Sequence, residues 1–200
     1  MKTFWYPEKP KRIYSFSKVP KNYIFQIKKD GWRIIINAMD GFTLHNREGS
    51  LITCTKSENW EWLKDIFGEG FYLDGEVIGR RQGEVIDTIV IWDILYHKGQ
   101  ALHKWNYMKR YDILYAYLTM YLSELHGKIF GTDMIGQQNG MTLLLSKNYD
   151  LSDFKAVWKV LEFDNKYDEG VVFKNPNSPL KWSLNSNEHT FNQLKLKIRE

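Results

Sequence analysis

Gln26-Ile27-Lys28-Lys29-Asp30-Gly31-Trp32-Arg33 is the stretch that decides how the rest of the chain is read. A β-rich run, Tyr23-Ile24-Phe25-Gln26-Ile27, delivers a lysine to a break at Asp30-Gly31, and a second run, Trp32-Arg33-Ile34-Ile35-Ile36-Asn37, leaves it. The pattern reads as strand–turn–strand with Lys28 near the bend, where its amine can reach a pocket beside a sheet. An ordinary hairpin with a charged turn is the plainer alternative, so the residues downstream have to decide.

The chain has 200 residues, which fits one domain (1–200) able to bury its own core. Apolar residues make up 43% and charged ones 26%, the balance of a folded, soluble chain and not of a disordered one. No apolar run approaches the ~18–20 residues that span a bilayer, and Met1 to Glu8 lacks a signal-peptide apolar segment. A single cysteine, Cys54, excludes an internal disulfide and a multi-cysteine metal site. His45, His97, His103, His126 and His189 lack ligand spacing, which argues against structural zinc. A reducing, intracellular setting fits.

The net charge of +4 is unevenly placed. From Lys2 to Arg33 there are nine basic residues against Glu8 and Asp30, and the C-terminus is basic again through Lys195, Lys197 and Arg199. Such ends can line a polyanion path, because phosphate contacts supply most of the affinity for nucleic acid. A merely solvated charged surface explains such clusters about as well.

Strand-like runs fall at 23–28, 32–37, 42–45, 51–55, 71–79 and 86–95. Ser57 to Phe67 reads as a short helix capped by Ser57, with Trp60 on its apolar face. The longest helix runs from Asn106 to Leu125, with a stripe of Tyr111, Leu114, Leu118, Tyr121, Leu122 and Leu125 ended by Gly127. A third helix, 151–161, sets Phe154, Val157, Trp158 and Leu161 on one face before a strand at Val171-Val172-Phe173. Strands precede, interrupt and follow the helices without βαβ alternation, so the fold class is α+β with largely antiparallel sheets.

Four further segments then line up in order: Leu73-Asp74-Gly75-Glu76, Ile91-Trp92-Asp93-Ile94-Leu95, Glu169-Gly170-Val171-Val172-Phe173-Lys174 and Leu194-Lys195-Leu196-Lys197. With Lys28-x-Asp30-Gly31-x-Arg33 the series resembles the covalent nucleotidyltransferase superfamily of ATP-dependent DNA ligases, RNA ligases and mRNA capping guanylyltransferases. It extends from about residue 23 to 198 and is most similar to the adenylation domain of the DNA ligases. The resemblance implies the ligase- and capping-type nucleotidyltransferase (ATP-grasp-like) fold, ATP and Mg²⁺ as cofactors, and nicked duplex DNA, or RNA, as the partner of a monomer.

By the same resemblance Lys28 is the nucleophile that takes up a nucleoside monophosphate, and Arg33 completes that motif. Arg47, in Phe42-Thr43-Leu44-His45-Asn46-Arg47-Glu48-Gly49, contacts ribose or the incoming DNA end. Glu76 holds the ribose hydroxyls and Trp92 stacks on the base. Glu169 serves the metal, with Lys174 closing its motif, while Lys195 and Lys197 grip the α-phosphate. The residue types suit the chemistry: an ordinary lysine is protonated at neutral pH, and neighbouring cations disfavour that charge while offsetting charge on the phosphates.

Glu169-Gly170-Val171-Val172 leans to ligases, where capping enzymes more often carry Asp-Gly, and Asn177 to Trp182 is also ligase-like. Gln26 departs from the glutamate with which cellular DNA ligases read the adenine amino group, and a carboxamide can donate or accept. Family enzymes continue past the final lysines into an OB-fold domain, whereas this sequence stops at Glu200. A separate OB-fold protein would then be a partner. An RNA ligase, a capping guanylyltransferase and a non-catalytic module holding nicks or ends are the alternative readings.

Overall fold

The computed structural model describes residues 6–52, 55–78, 87–124, 129–130, 133–138, 140–163, 167–183 and 189–198. The chain opens with β1 (Tyr6–Pro7) and β2 (Lys9–Arg12), makes a 3-10 turn at Phe16–Lys18, and enters β3 (Ile24–Lys29), β4 (Gly31–Asn37) and β5 (Thr43–Asn46). A second 3-10 turn, Ser57–Trp60, precedes α1 (Leu63–Phe67). β6 (Tyr72–Ile78), β7 (Thr88–His97) and β8 (Gln100–Ala101) lead to α2 (Tyr107–Glu124). β9 (Ile129–Phe130), β10 (Asp133–Gln138), β11 (Met141–Leu145) and β12 (Tyr149–Asp150) come next. A 3-10 turn, Leu151–Asp153, and α3 (Phe154–Phe163) lead to β13 (Asp168–Lys174), β14 (Trp182–Ser183) and β15 (His189–Lys197).

Two sheets carry the fold. One has the order β12-β3-β13-β15-β2, and the other runs β5-β4-β6-β7-β11-β10-β9 with β8 attached to β7. Among the described pairings, β11 with β7 and β15 with β2 are parallel and the rest are antiparallel. This is the α+β, mostly antiparallel arrangement that the residue pattern implies.

The alternation along each strand shows why the sheets sit as they do. In β3, Phe25 is fully buried and Ile27 packs beside it, in a core shared with Val171, Phe173, Phe154 and Leu161. Phe16 stacks flat on Phe154, ring centroids 4.1 Å apart, and closes that core. The other side of β3 carries Gln26 and Lys28. In β4, Ile34 and Ile36 point into a second core, where Leu73, Ile89, Ile91 and Ile94 meet Tyr107, Tyr111, Leu114 and Leu118 of α2. The polar faces of the two sheets are therefore turned toward a shared space.

The ordinary-hairpin reading of Asp30-Gly31 does not hold. β3 pairs with β12 and β13, while β4 pairs with β5 and β6. The two strands leave the bend for different sheets. The Asp30 amide donates to the Tyr167 carbonyl at 2.6 Å, anchoring the last residue on the β13 side. At Gly31 an added Cβ would lie 2.0 Å from the Val77 carbonyl oxygen, so only glycine lets β4 approach β6 this closely. The sequence signal was right about a break and could not say which partners the flanking strands would take.

Smaller corrections follow from hydrogen bonding. The Ser57 cap is not formed: Ser57 is the first residue of the 3-10 turn and Lys56 is its cap, with the Lys56 carbonyl accepting from Asn59, and a separate short helix follows. Trp60 is fully buried as expected. Of the 51–55 run, Leu51 bridges His45, while residues 53–54, like Leu125 and Gly127 at the end of the long helix, lie outside the described residues.

Gly31→Ala is expected to cost ~3 kcal/mol or more of unfolding free energy, because backbone atoms must separate. Gly41→Ala, at a φ of +84° with nothing within 4 Å of the new Cβ, should cost ~1–2 kcal/mol of backbone strain alone. Urea unfolding of the two variants checks this; equal losses would mean that the close approach is not what fixes the crossing.

Candidate active site

A cavity of about 500 Å³ opens between the polar faces of the two sheets, a size suited to a nucleotide. Gln26, Lys28, Val172, Lys174, Gln193, Lys195 and Lys197 line one wall. Arg33, Glu76, Trp92 and the turn residues Arg47 and Glu48 line the other. Every site residue expected from the sequence, Glu169 included, thus faces one space.

Strand register explains the first wall. Gly170 stands opposite both Lys28 and Lys197, Val172 opposite Gln26 and Lys195, and Lys174 opposite Ile24 and Gln193. Side chains opposite one another share a face, so three rows of polar groups point the same way. Glu169 interrupts the ladder: Asp168 pairs with Lys29 and Gly170 with Lys28, leaving Glu169 as the extra residue of a bulge. Gly170 permits the bulge at a φ of +142°, where an added Cβ would meet the Leu196 carbonyl oxygen at 2.1 Å. The bulged Glu169 carboxylate takes Lys28 Nζ on Oε1 and Lys197 Nζ on Oε2. Burial pushes this carboxyl up, but the two ammonium groups outweigh it and hold it below its ordinary range. Burial, with Lys28 and Lys197 close by, pulls the Lys195 amine down from the usual lysine value.

A second bulge shapes the other wall. Asp74 pairs with Asp93 and Gly75 with Ile91, so Trp92 is the extra residue on β7. Its ring lines the cavity with the Arg33 guanidinium 6.0 Å from its centroid. Arg33 grips Asp74 through a two-point fork, Nε to Oδ1 at 2.8 Å and Nη2 to Oδ2 at 2.5 Å. Its Nη1 also donates to the Glu8 carbonyl at 3.3 Å. Arg33 is therefore held as part of the wall. Gln26 Nε2 donates to the Ser146 carbonyl at 3.0 Å, which fixes the amide plane with Oε1 as its remaining acceptor.

Beneath the pocket lies a layer of buried charge in which Lys174 was expected from the motifs and Arg110 and Glu8 were not. Arg110 forks onto Asp93 at 2.8 Å through both Nε and Nη2. Lys174 Nζ is buried without a hydrogen-bond partner, 4.4 Å from the Tyr107 ring centroid. Burial lowers its pKa to about 7, Asp93 and Asp74 resisting the fall. Glu8, 3% exposed, has an unpartnered Oε2, and burial raises its carboxyl to about 7 against the pull of Thr190, Lys181 and Arg110. The available signal was a charge inside an apolar strand, as at Asp74 between Leu73 and Val77 and at Asp93 between Ile91 and Ile94. Glu8, Lys9, Arg110 and Ser146 gave no such signal.

A family model for the ATP-dependent DNA ligase domain matches residues 9–197. The fold is similar to that of the ligase domain from M. tuberculosis LigD, with a TM-score of 0.56 and 18% identity over 96% of this chain and 59% of that one. A mycobacterial DNA ligase D complexed with ATP and MES gives a TM-score of 0.61 and 18% identity, covering 97% of this chain and 60% of that one. Chlorella virus DNA ligase-adenylate gives 0.59 and 15% identity, over 96% and 69% of the two chains. The chain thus spans about 60% of the length of the two mycobacterial structures. Sequence comparison with curated proteins gives no match. No helix among the described residues is long and apolar enough to cross a membrane.

Glu8 supplies a pH prediction. Its folded pKa, about 7, lies above the ordinary carboxyl value of 4.5, so the folded state binds the extra proton between them. Its contribution is complete below pH ~4.5 and is lost as the pH rises through ~7. Glu8→Gln should remove a decline on the order of 3 kcal/mol across that window, read by urea unfolding at pH 5 and pH 8. An unchanged pH slope in Glu8→Gln would contradict the assignment.

Proposed function

The chain belongs to the ATP-dependent DNA ligase domain family, and from that footing we propose that it is a covalent nucleotidyltransferase that charges Lys28 with AMP and passes the AMP to the 5′-phosphate of a nicked duplex, which the 3′-hydroxyl then seals. The observation that carries this reading is the row Lys28–Gly170–Lys197 with Glu169 bulged against both amines. A purely structural ion pair has no use for three lysines crowded at the mouth of a nucleotide-sized cavity.

In the proposed reaction Lys28 Nζ forms a bond to the α-phosphorus while the bond to the bridging oxygen breaks and pyrophosphate leaves. Attack requires a neutral amine, so Lys28 must first give up the proton that it donates to Glu169. Lys195 and Lys197 offset the charge on the α-phosphate, which is where electrostatic preorganisation acts most strongly. Glu76 would hold the ribose hydroxyls, Trp92 would stack on the base, and Arg47 would meet ribose or the nucleic-acid end. Arg33, fixed by Asp74, would keep Trp92 and the wall in place.

Mg²⁺ fits this donor set as a metal carried by the phosphates: it needs oxygen ligands, and Glu169 offers one carboxylate beside phosphate and water oxygens. No cluster of three or more histidine, cysteine or acidic ligands occurs among the described residues. Bound there, it would neutralise charge on the triphosphate.

The tether from Gln26 to Ser146 supports ATP as donor. With one Nε2 hydrogen donated to Ser146, the amide is held so that Oε1 can accept from the 6-amino group of adenine, a donor that guanine lacks at that position. Lys174 Nζ, a donor lacking a partner, suits a ring nitrogen of the base.

The test is labelling with α-labelled ATP or GTP and Mg²⁺, followed by addition of nicked duplex. ATP is expected to label at least ~10-fold faster than GTP, since leaving a buried polar group unpaired costs this much or more. Lys28→Ala should take no label. Faster labelling by GTP would favour the capping branch, and nick binding without any labelling would favour a non-catalytic end-binding module.

A further inference from the structure

The motifs account for Lys28, Lys195 and Lys197 on one wall and for Arg33, held by Asp74, on the other. One buried cation of the pocket is left without a role. Lys9 is 9% exposed, lines the same cavity, and comes from β2, upstream of every motif. Parallel pairing with β15 brings it there, Lys9 opposite His189 and Arg12 opposite Lys195. Three residues of strand separate Lys9 from the row of Lys195 by about 10 Å, so the two serve different parts of a bound ligand. Across the cavity the turn after β5 presents Arg47 and Glu48, which pair with one another at 3.1 Å and are about half exposed. Burial, Arg47 and Arg33 all pull the Lys9 amine down, and Glu48 alone pushes it up. With Glu48 as the one carboxylate among Lys9, Arg47 and Arg33, this end of the cavity keeps an excess of positive charge that a phosphate would offset.

We propose that Lys9, with Arg47, forms a second phosphate-binding site that holds the phosphate next to the one bonded to Lys28. This rests on the nucleotidyl-transfer reading. In charging, the P–N bond to Lys28 forms as the P–O bond to pyrophosphate breaks; pyrophosphate keeps the electron pair and the amine proton passes to solvent. In transfer, an oxygen of the 5′-phosphate forms the new P–O bond, the P–N bond breaks, and Lys28 takes up a proton. Both displacements are in line at one phosphorus. The departing pyrophosphate and the arriving 5′-phosphate therefore occupy the same side, opposite Lys28. One cationic site could serve either the outer phosphates of ATP or the end of the nucleic acid.

Lys9→Gln and Lys9→Arg keep most of the buried stem, and thermal melting checks that each is folded. Each is compared with the parent protein in labelling by α-labelled ATP, in AMP transfer from charged protein to a nick, and in binding a nick that ends in 5′-phosphate or 5′-hydroxyl. If the occupant is the nucleic-acid phosphate, Lys9→Gln labels within about threefold of the parent, transfers AMP about 10–100-fold more slowly, and loses any preference for the 5′-phosphate nick. If the occupant is the outer phosphates of ATP, labelling slows by that factor while transfer is unchanged. In both cases Lys9→Arg recovers most of the loss. A Lys9→Gln protein unchanged in all three assays overturns the proposal, as does a folded Lys9→Arg protein as impaired as Lys9→Gln. Should the parent itself fail to label, the nucleotidyl-transfer reading is wrong, and the 5′-phosphate against 5′-hydroxyl comparison still tests Lys9.

Discussion

The contact between Gly31 and the Val77 carbonyl, where an added Cβ would lie 2.0 Å from the oxygen, marks the point at which the backbone passes from one sheet into the other. β3 ends at Lys29 in the five-stranded sheet and β4 begins at Gly31 in the larger one. A hairpin would have put Lys28 and Arg33 in one sheet. The crossing instead puts Lys28 on one wall of a cleft and Arg33 on the other, and fixes the sheets face to face. Further glycines work at the same scale. Gly170 lets β13 bulge so that Glu169 leaves the ladder, and Gly75 lies so close to the Val90 carbonyl that no side chain fits beside the bulge at Trp92.

Turning two polar sheet faces toward one cavity requires charge to be buried, and the structure manages this by pairing. Arg33 with Asp74 and Arg110 with Asp93 are two-point forks out of water. Removing one partner of such a pair costs ~3–5 kcal/mol, although the intact pair adds little net stability. Their value here is positional: they hold Trp92, Tyr107 and the pocket floor in fixed relation. Two buried atoms without hydrogen-bond partners, Lys174 Nζ and Glu8 Oε2, belong to groups whose pKa values move toward 7 because nothing nearby fully compensates their burial. Of the two, Lys174 Nζ lines the cavity and is a donor that a ligand's acceptor would satisfy.

How much of this was legible depended on range. The β-rich runs Tyr23–Ile27 and Trp32–Asn37 gave both strands, and the stripe Tyr111–Leu114–Leu118 gave α2, because these are local signals. Lys28, Glu76, Trp92, Glu169, Lys195 and Lys197, which the family resemblance named, line one cavity. What could not be read was partner choice: that β3 pairs with β13, some 140 residues away in sequence, is a non-local fact that Asp30-Gly31 does not encode. The bulges at Glu169 and Trp92 were hidden for the same reason, since a bulge exists only relative to the opposing strand. Lys9 was missed because β2 reaches the pocket only through its parallel partner β15.

Three amines, Lys28, Lys195 and Lys197, stand close enough to share one carboxylate neighbourhood, and the proposed covalent chemistry falls to the first. Peptide mapping by mass spectrometry after incubation with ATP and Mg²⁺ tests that assignment most directly. A single AMP on the peptide that contains Lys28, with Lys195 and Lys197 unmodified, is the predicted result. AMP on Lys195 or Lys197 with Lys28 unmodified would contradict it.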